Sequence, residues 1–161
     1  MVRPLLLILL LALAGCRREP SPAGCGQPAD APWVERSEAQ LDERIAAAKT
    51  CAKSRGARVL LAFGAPWCKD CREMLKLEGD PAVKAALAEG YEEVRINVGE
   101  WDRHEKLRNL YSVKAIAHFV VLDPNTSAVV AMTTLEPITG KGEKITAARW
   151  AAWLRAYAQP A

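Results

Sequence analysis

An α/β fold is what these 161 residues predict, and three observations carry that reading. Residues 58–64, Arg-Val-Leu-Leu-Ala-Phe-Gly, form a short, continuous apolar run of the kind found in a central strand covered on both faces. Segments with a helical period alternate along the chain with short strand-like ones. Half of the residues are hydrophobic and a quarter are charged, enough for one compact domain with a real core plus short extras.

The elements follow in order. Ser37 and Gln40 stand at capping-box spacing, and Leu41, Ile45, Ala48 and Ala52 mark one face of a first helix that stops before Gly56. The buried strand over residues 58–64 comes next, then a helix from Cys68 to about Leu77. Asp80-Pro81 is an N-cap followed by a first-turn proline, opening a short helix that ends at Gly90. Residues 91–98 alternate as a strand does. Asp102 and Glu105 repeat the capping-box spacing ahead of a helix through Leu107, Leu110 and Tyr111, on which His104 reads as an exposed residue. Two strands, residues 118–122 and 128–133, are joined by Asp123-Pro124-Asn125-Thr126, whose residue types suit a tight turn. Gly140-Lys141-Gly142-Glu143 lacks phosphate-loop spacing and reads as a flexible connection. A last helix over residues 146–158 sets Ala147, Trp150, Leu154 and Tyr157 on one side.

The chemistry centres on Trp67-Cys68-Lys69-Asp70-Cys71. If Cys68 opens a helix, Cys71 lies one turn on along the same face, with Cβ atoms roughly 5–6 Å apart, near enough for a disulfide after a small adjustment. Unpaired N–H groups and the positive helix end favour a thiolate at Cys68, which becomes the nucleophile, and Cys71 the resolving thiol. Lys69 should favour that thiolate and Asp70 oppose it.

The run Leu60-Leu61-Ala62-Phe63-Gly64-Ala65-Pro66-Trp67-Cys68-Lys69-Asp70-Cys71, with the later segment of residues 111–122, resembles thioredoxin-like proteins. The resemblance is strongest to the envelope branch that includes the C-terminal domain of transmembrane thiol:disulfide interchange proteins. It implies a thioredoxin-like fold over residues 35–159: a central mixed sheet flanked by helices in three α/β/α layers. It also implies exchange of disulfides with protein thiols or disulfides of the envelope, no bound cofactor, a membrane electron donor as a further partner, and the reductive direction. Trp67 matches the family's motif tryptophan, shielding the disulfide and offering partners an apolar surface.

Two positions depart from the family pattern. Where the family has a cis-proline packed on the cysteine pair, this chain has Ala117, and a non-proline cis bond costs roughly 2.5–4 kcal/mol, so Ala117 is expected to be trans. Where many thioredoxins carry a buried aspartate six residues before the first cysteine, this chain has Ala62, and no other buried base is evident. His118, one residue past the proline position, has two readings: a strand-end histidine, at the surface or hydrogen-bonded in the sheet, or a proton relay or third metal ligand beside the cysteines.

At the N-terminus, one basic residue, Arg3, precedes an apolar run over residues 5–14 that is far short of the ~20 residues of a membrane span. Residues 1–15 read as a signal peptide, and Leu13-Ala14-Gly15-Cys16 looks like a bacterial lipobox, with Cys16 the acylated first residue of the mature chain. An ordinary signal peptide cut nearby is the alternative. Residues 16–34 form a Pro-, Gly- and Ala-rich tether that contains Cys25. With Cys16 lipidated, four cysteines remain, and a structural Cys25–Cys51 bridge in an oxidising compartment stands beside the reading that Cys25 is free. The formal net charge of +3 comes from interspersed residues of both signs, and no basic stripe points to nucleic acid.

A lipid-anchored thiol:disulfide oxidoreductase of the bacterial envelope is the leading expectation. A thioredoxin fold kept as a redox-inert interaction module, and a copper-handling protein using Cys68, Cys71 and His118, are the alternatives.

Overall fold

The computed structural model describes residues 25–26 and 31–158. The signal peptide, Cys16 and most of the tether lie outside the described residues. Helix α1, Glu38–Arg55, opens on a complete capping box in which Ser37 Oγ accepts from Gln40 N and Gln40 Oε1 accepts from Ser37 N. It closes on Gly56, whose φ of 67° is the left-handed cap that glycine tolerates best. Strand β1, Arg58–Gly64, leads into α2, Lys69–Leu77. Helix α3, Pro81–Gly90, is capped by Asp80 Oδ1, which accepts from Ala82 N. Strand β2, Tyr91–Asn97, lies parallel to β1. After α4, Glu105–Leu110, the hairpin of β3, His118–Leu122, and β4, Val129–Thr134, completes a sheet of order β2-β1-β3-β4. β1 and β3 are antiparallel, as are β3 and β4, so the sheet is mixed. A short α5, Glu136–Thr139, and α6, Ala147–Tyr157, follow.

Because side chains alternate along a strand, β1 and β3 feed two cores. Val59, Leu61, Phe63, Val120 and Leu122 face α1, where Leu41, Ile45, Ala48 and Ala52 are buried, with Leu107 of α4 packed alongside. Leu60, Phe119 and Val121 face α2, α3 and α6, where they meet Met74, Val83, Ala86, Trp150 and Leu154. Phe119 and Trp150 touch with ring centroids 4.6 Å apart, and Trp150 stacks on Trp153. The cysteine pair belongs to this second core.

Three local expectations need correction. His104 is buried at 4% exposure, with Nδ1 2.8 Å from Glu38 Oε1, because the turn before α4 folds against the start of α1. Asp102 does not cap α4: its Oδ1 accepts from Glu100 N inside that turn, and His104, at φ 53°, is the residue preceding the helix. Helix α5 falls in a stretch to which the sequence assigned no element.

Candidate active site

Strand β1 ends at Gly64, and the Ala65-Pro66-Trp67 turn delivers Cys68 to the N-cap of α2. There its Sγ accepts from Cys71 N at 3.1 Å, taking one of the N–H groups that a helix start leaves unpaired. Cys68 and Cys71 are joined by a disulfide with S–S 2.12 Å and Cα atoms 5.3 Å apart. Both sulfurs are shielded, the residues being 5% and 4% exposed. Trp67 is 42% exposed beside them, held by Nε1 donating to Gly99 O at 2.9 Å, with Trp101 6.5 Å away ring to ring. Lys69 and Asp70 point to the surface. The Arg72 guanidinium donates to Pro66 O at 2.7 Å, tying the first turn of α2 to the loop that precedes it.

Ala117 packs with Cys68, Cys71 and Met74, and the Ile116–Ala117 peptide bond is cis. The expectation of a trans bond is therefore corrected: the packing of this loop against the cysteine helix overrides the local preference. His118 is corrected as a neighbour of the cysteines. Its side chain shares the α1 side of the sheet with Val120 and Leu122, edge-on to Phe63 at 6.1 Å, while the cysteines lie on the other side. It is neither exposed nor bonded in the sheet, being 6% exposed, with no hydrogen-bond partner for either ring nitrogen among the described residues. Burial holds its pKa below the usual histidine value, so the ring is neutral there.

The absence of a buried base, inferred from Ala62, is also corrected. A narrow cavity runs from Cys71 past Ala62, Met74 and Trp33 to Glu78, Glu93 and Arg95. Glu78 is the C-cap of α2, and Glu93 and Arg95 are on β2, paired in register with Leu60 and Ala62, so their side chains emerge on the cysteine side of the sheet. Arg95 bridges the two carboxylates, with Nε 3.3 Å from Glu93 Oε1 and Nη2 on Glu78 Oε2. Burial first, and the Glu93 charge second, push the Glu78 carboxyl up to about 8 against the opposing pull of Arg95. A glutamate and an arginine two residues apart in the strand, Glu93 and Arg95, and a third charged residue, Glu78, seven residues after Cys71 on the same helical face, were the signals available in the sequence.

Trp33, which had no expected role, lies beside the redox pair, and its carbonyl accepts from Asn97 Nδ2 at 3.0 Å. Cys25 and Cys51 form a second disulfide, S–S 2.00 Å, and Gly26 N donates to Glu92 Oε1 at 2.9 Å. Among the described residues no group of three or more His, Cys, Asp or Glu side chains could hold a metal ion, and no helix is long and apolar enough to cross a membrane.

A disulfide-bonded Cys-x-x-Cys at a helix N-cap, set at the end of the central strand of a mixed sheet, defines a disulfide oxidoreductase fold. Residues 39–124, over half of the chain, match the model of the thioredoxin-like family, and the chain belongs to that family. Among solved structures it is similar to a disulphide isomerase from Xylella fastidiosa Temecula1, at 26% identity over 79% of this chain and 96% of that one, with a TM-score of 0.63. It is also similar in fold to the DsbD C-terminal domain of Neisseria meningitidis in its reduced form, at 20% identity over 75% of this chain and 96% of that one, with a TM-score of 0.57. A thioredoxin from Thermus thermophilus matches at 24% identity over 68% and 79%, with a TM-score of 0.53. No curated protein sequence is matched.

Proposed function

We propose that the chain is a thiol:disulfide oxidoreductase of the bacterial envelope, held at a membrane by lipid on Cys16 and working mainly as a reductase of protein disulfides. The observation that carries the reading is the Cys68–Cys71 disulfide capping α2 beside the exposed Trp67. Reduced, Cys68 sits where the helix end favours a thiolate. That thiolate attacks a partner disulfide and displaces one partner thiolate. Cys71 then attacks Cys68 Sγ in the mixed disulfide, releasing the second partner thiolate and leaving the Cys68–Cys71 disulfide, two electrons having passed to the partner. The Xylella protein, named a disulphide isomerase and similar over most of both chains, supports thiol–disulfide chemistry. The reductive direction, the lipid anchor and a membrane electron donor rest on the sequence resemblance and the lipobox-like Leu13-Ala14-Gly15-Cys16.

The test is the equilibrium potential of the Cys68–Cys71 couple in graded dithiol buffers, together with trapping. Cys71→Ser should accumulate a mixed disulfide through Cys68, and Cys68→Ser should abolish exchange. A potential near the reducing end of the known exchange catalysts, about −270 mV, supports a reductase, and one near about −120 mV an oxidant. A couple below about −300 mV that equilibrates sluggishly would favour the redox-inert interaction module. For the anchor, labelled palmitate should enter the wild-type protein and not Cys16→Ser.

A further inference from the structure

The cavity at Cys71 does not end inside the protein. Glu78, Glu93 and Arg95 line it, and the same three side chains line a second, solvent-facing groove together with Arg55, Lys84, Leu87, Tyr91 and Gly26. The carboxylate pair thus lines both the cavity at Cys71 and the outer groove. We propose that Glu78, braced by Arg95 and Glu93, is the proton acceptor for Cys71 and holds that proton while the disulfide is closed, the task that Ala62 leaves unfilled. The inference rests on the exchange activity proposed above.

Distance decides how Glu78 acts. Seven residues separate it from Cys71, about 10 Å along a helix axis, too far for a direct hydrogen bond. The cavity that both residues line, about 30 Å³, has room for about two or three water molecules at the ~10–15 Å³ each requires. Glu78 is therefore a positioning residue for the proton. In the forward step the Cys71 thiol gives its proton through water to the Glu78 carboxylate, and the resulting thiolate attacks Cys68 Sγ. The Cys68–partner bond breaks, and the partner sulfur leaves as a thiolate that takes its proton from solvent. When the pair is reduced again, Glu78 returns its proton to Cys71.

The raised Glu78 carboxyl supports this assignment, since an acceptor near 8 is closely matched to a thiol of ordinary value near 8.5. The charged groups around it are accounted for: Arg95 and Glu93 from β2, Arg55 from the end of α1, and Lys84 from α3 across the groove. Any shift of its titration must be read against these four.

The experiment has two arms. In the first, the pH profile of disulfide reduction is compared for wild type, Glu78→Gln and Glu93→Gln, with alkylation of Cys68 measured in parallel. Glu78→Gln should slow resolution about a hundredfold above pH 8, where the carboxyl is ionised, at the lower end expected for a proton acceptor, and remove its limb from the profile while Cys68 alkylates normally. Glu93→Gln should shift that limb to lower pH, because the charge that raises Glu78 is gone. In the second arm, infrared difference spectra between chemically reduced and oxidised protein should show a protonated-carboxyl band that is absent in Glu78→Gln. This arm needs no protein substrate, so loss of exchange in the wild type would sink the proposed function without deciding the role of Glu78. A wild-type pH profile in folded Glu78→Gln, or a redox difference spectrum with no carboxyl change, overturns the inference.

Discussion

Gly64 makes room for Trp33. A Cβ on Gly64 would lie 2.9 Å from Trp33 Cζ3 and 3.2 Å from Cys71 Sγ, so the bare backbone at the end of β1 is what lets the indole reach the redox pair. Gly64→Ala should therefore move the Trp33 ring, change its fluorescence and cost about 1–3 kcal/mol in denaturant unfolding, the usual penalty of overpacking. Trp33→Ala should instead speed alkylation of Cys71 in the reduced protein; an unchanged rate would show that the indole does not shield that sulfur.

The Cys25–Cys51 bond closes a loop across a sequence separation of 26. On chain-entropy grounds, replacing both residues by alanine should lower stability by about 3 kcal/mol. Exchange through Cys68 should persist below the new melting temperature. Loss of exchange in the folded double variant would mean that the second disulfide also sets the geometry of the first.

Among the described residues the buried His118 ring has no polar partner, which costs roughly 1–3 kcal/mol. Its folded pKa is depressed by burial, so the unfolded chain takes up a proton that the folded chain refuses. Stability from this group is complete above the unfolded value of about 6.5 and is lost as pH falls below it. His118→Leu should raise the unfolding midpoint and flatten that acid-side loss, leaving the exchange rate within about twofold, since the sheet separates the ring from the cysteines. A larger fall in rate would return His118 to the site.

Glu78 works in the opposite sense. Its folded pKa near 8 lies above the unfolded value of 4.5, so the folded chain holds the extra proton in that window and stability falls as pH rises from about 4.5 to 8. The slope from one such group is at most about 1.4 kcal/mol per pH unit. Urea titrations should show this decline in the wild type and its loss in Glu78→Gln.

The frame of the fold was legible because its signals are local. Ser37 and Gln40, Asp80 and Pro81, and the apolar run of β1 each announce an element from within a few residues. The redox pair was legible for the same reason, three residues apart at a strand-to-helix junction. What escaped depends on contacts between distant segments. Ala62 read as a missing base because the replacing carboxylates arrive from the far end of α2 and from the neighbouring strand, and only the register Leu60 to Glu93 and Ala62 to Arg95 brings them to the same side. His118 could not be assigned to either side until strand register fixed its parity with Phe63. Trp33 reaches Cys71 from 38 positions earlier in the chain, a distance over which no periodicity reports.

The Cys25–Cys51 bond also decides how the domain bears mechanical load. A pull arriving along the chain ahead of Cys25 crosses the sulfur bridge into Cys51, within the 18-residue helix α1, and is spread over the core that this helix covers. Trp33, beside the redox pair, then lies outside the path of the force. A domain dragged by its N-terminal end would keep its reactive disulfide unstressed for as long as the other disulfide stays closed.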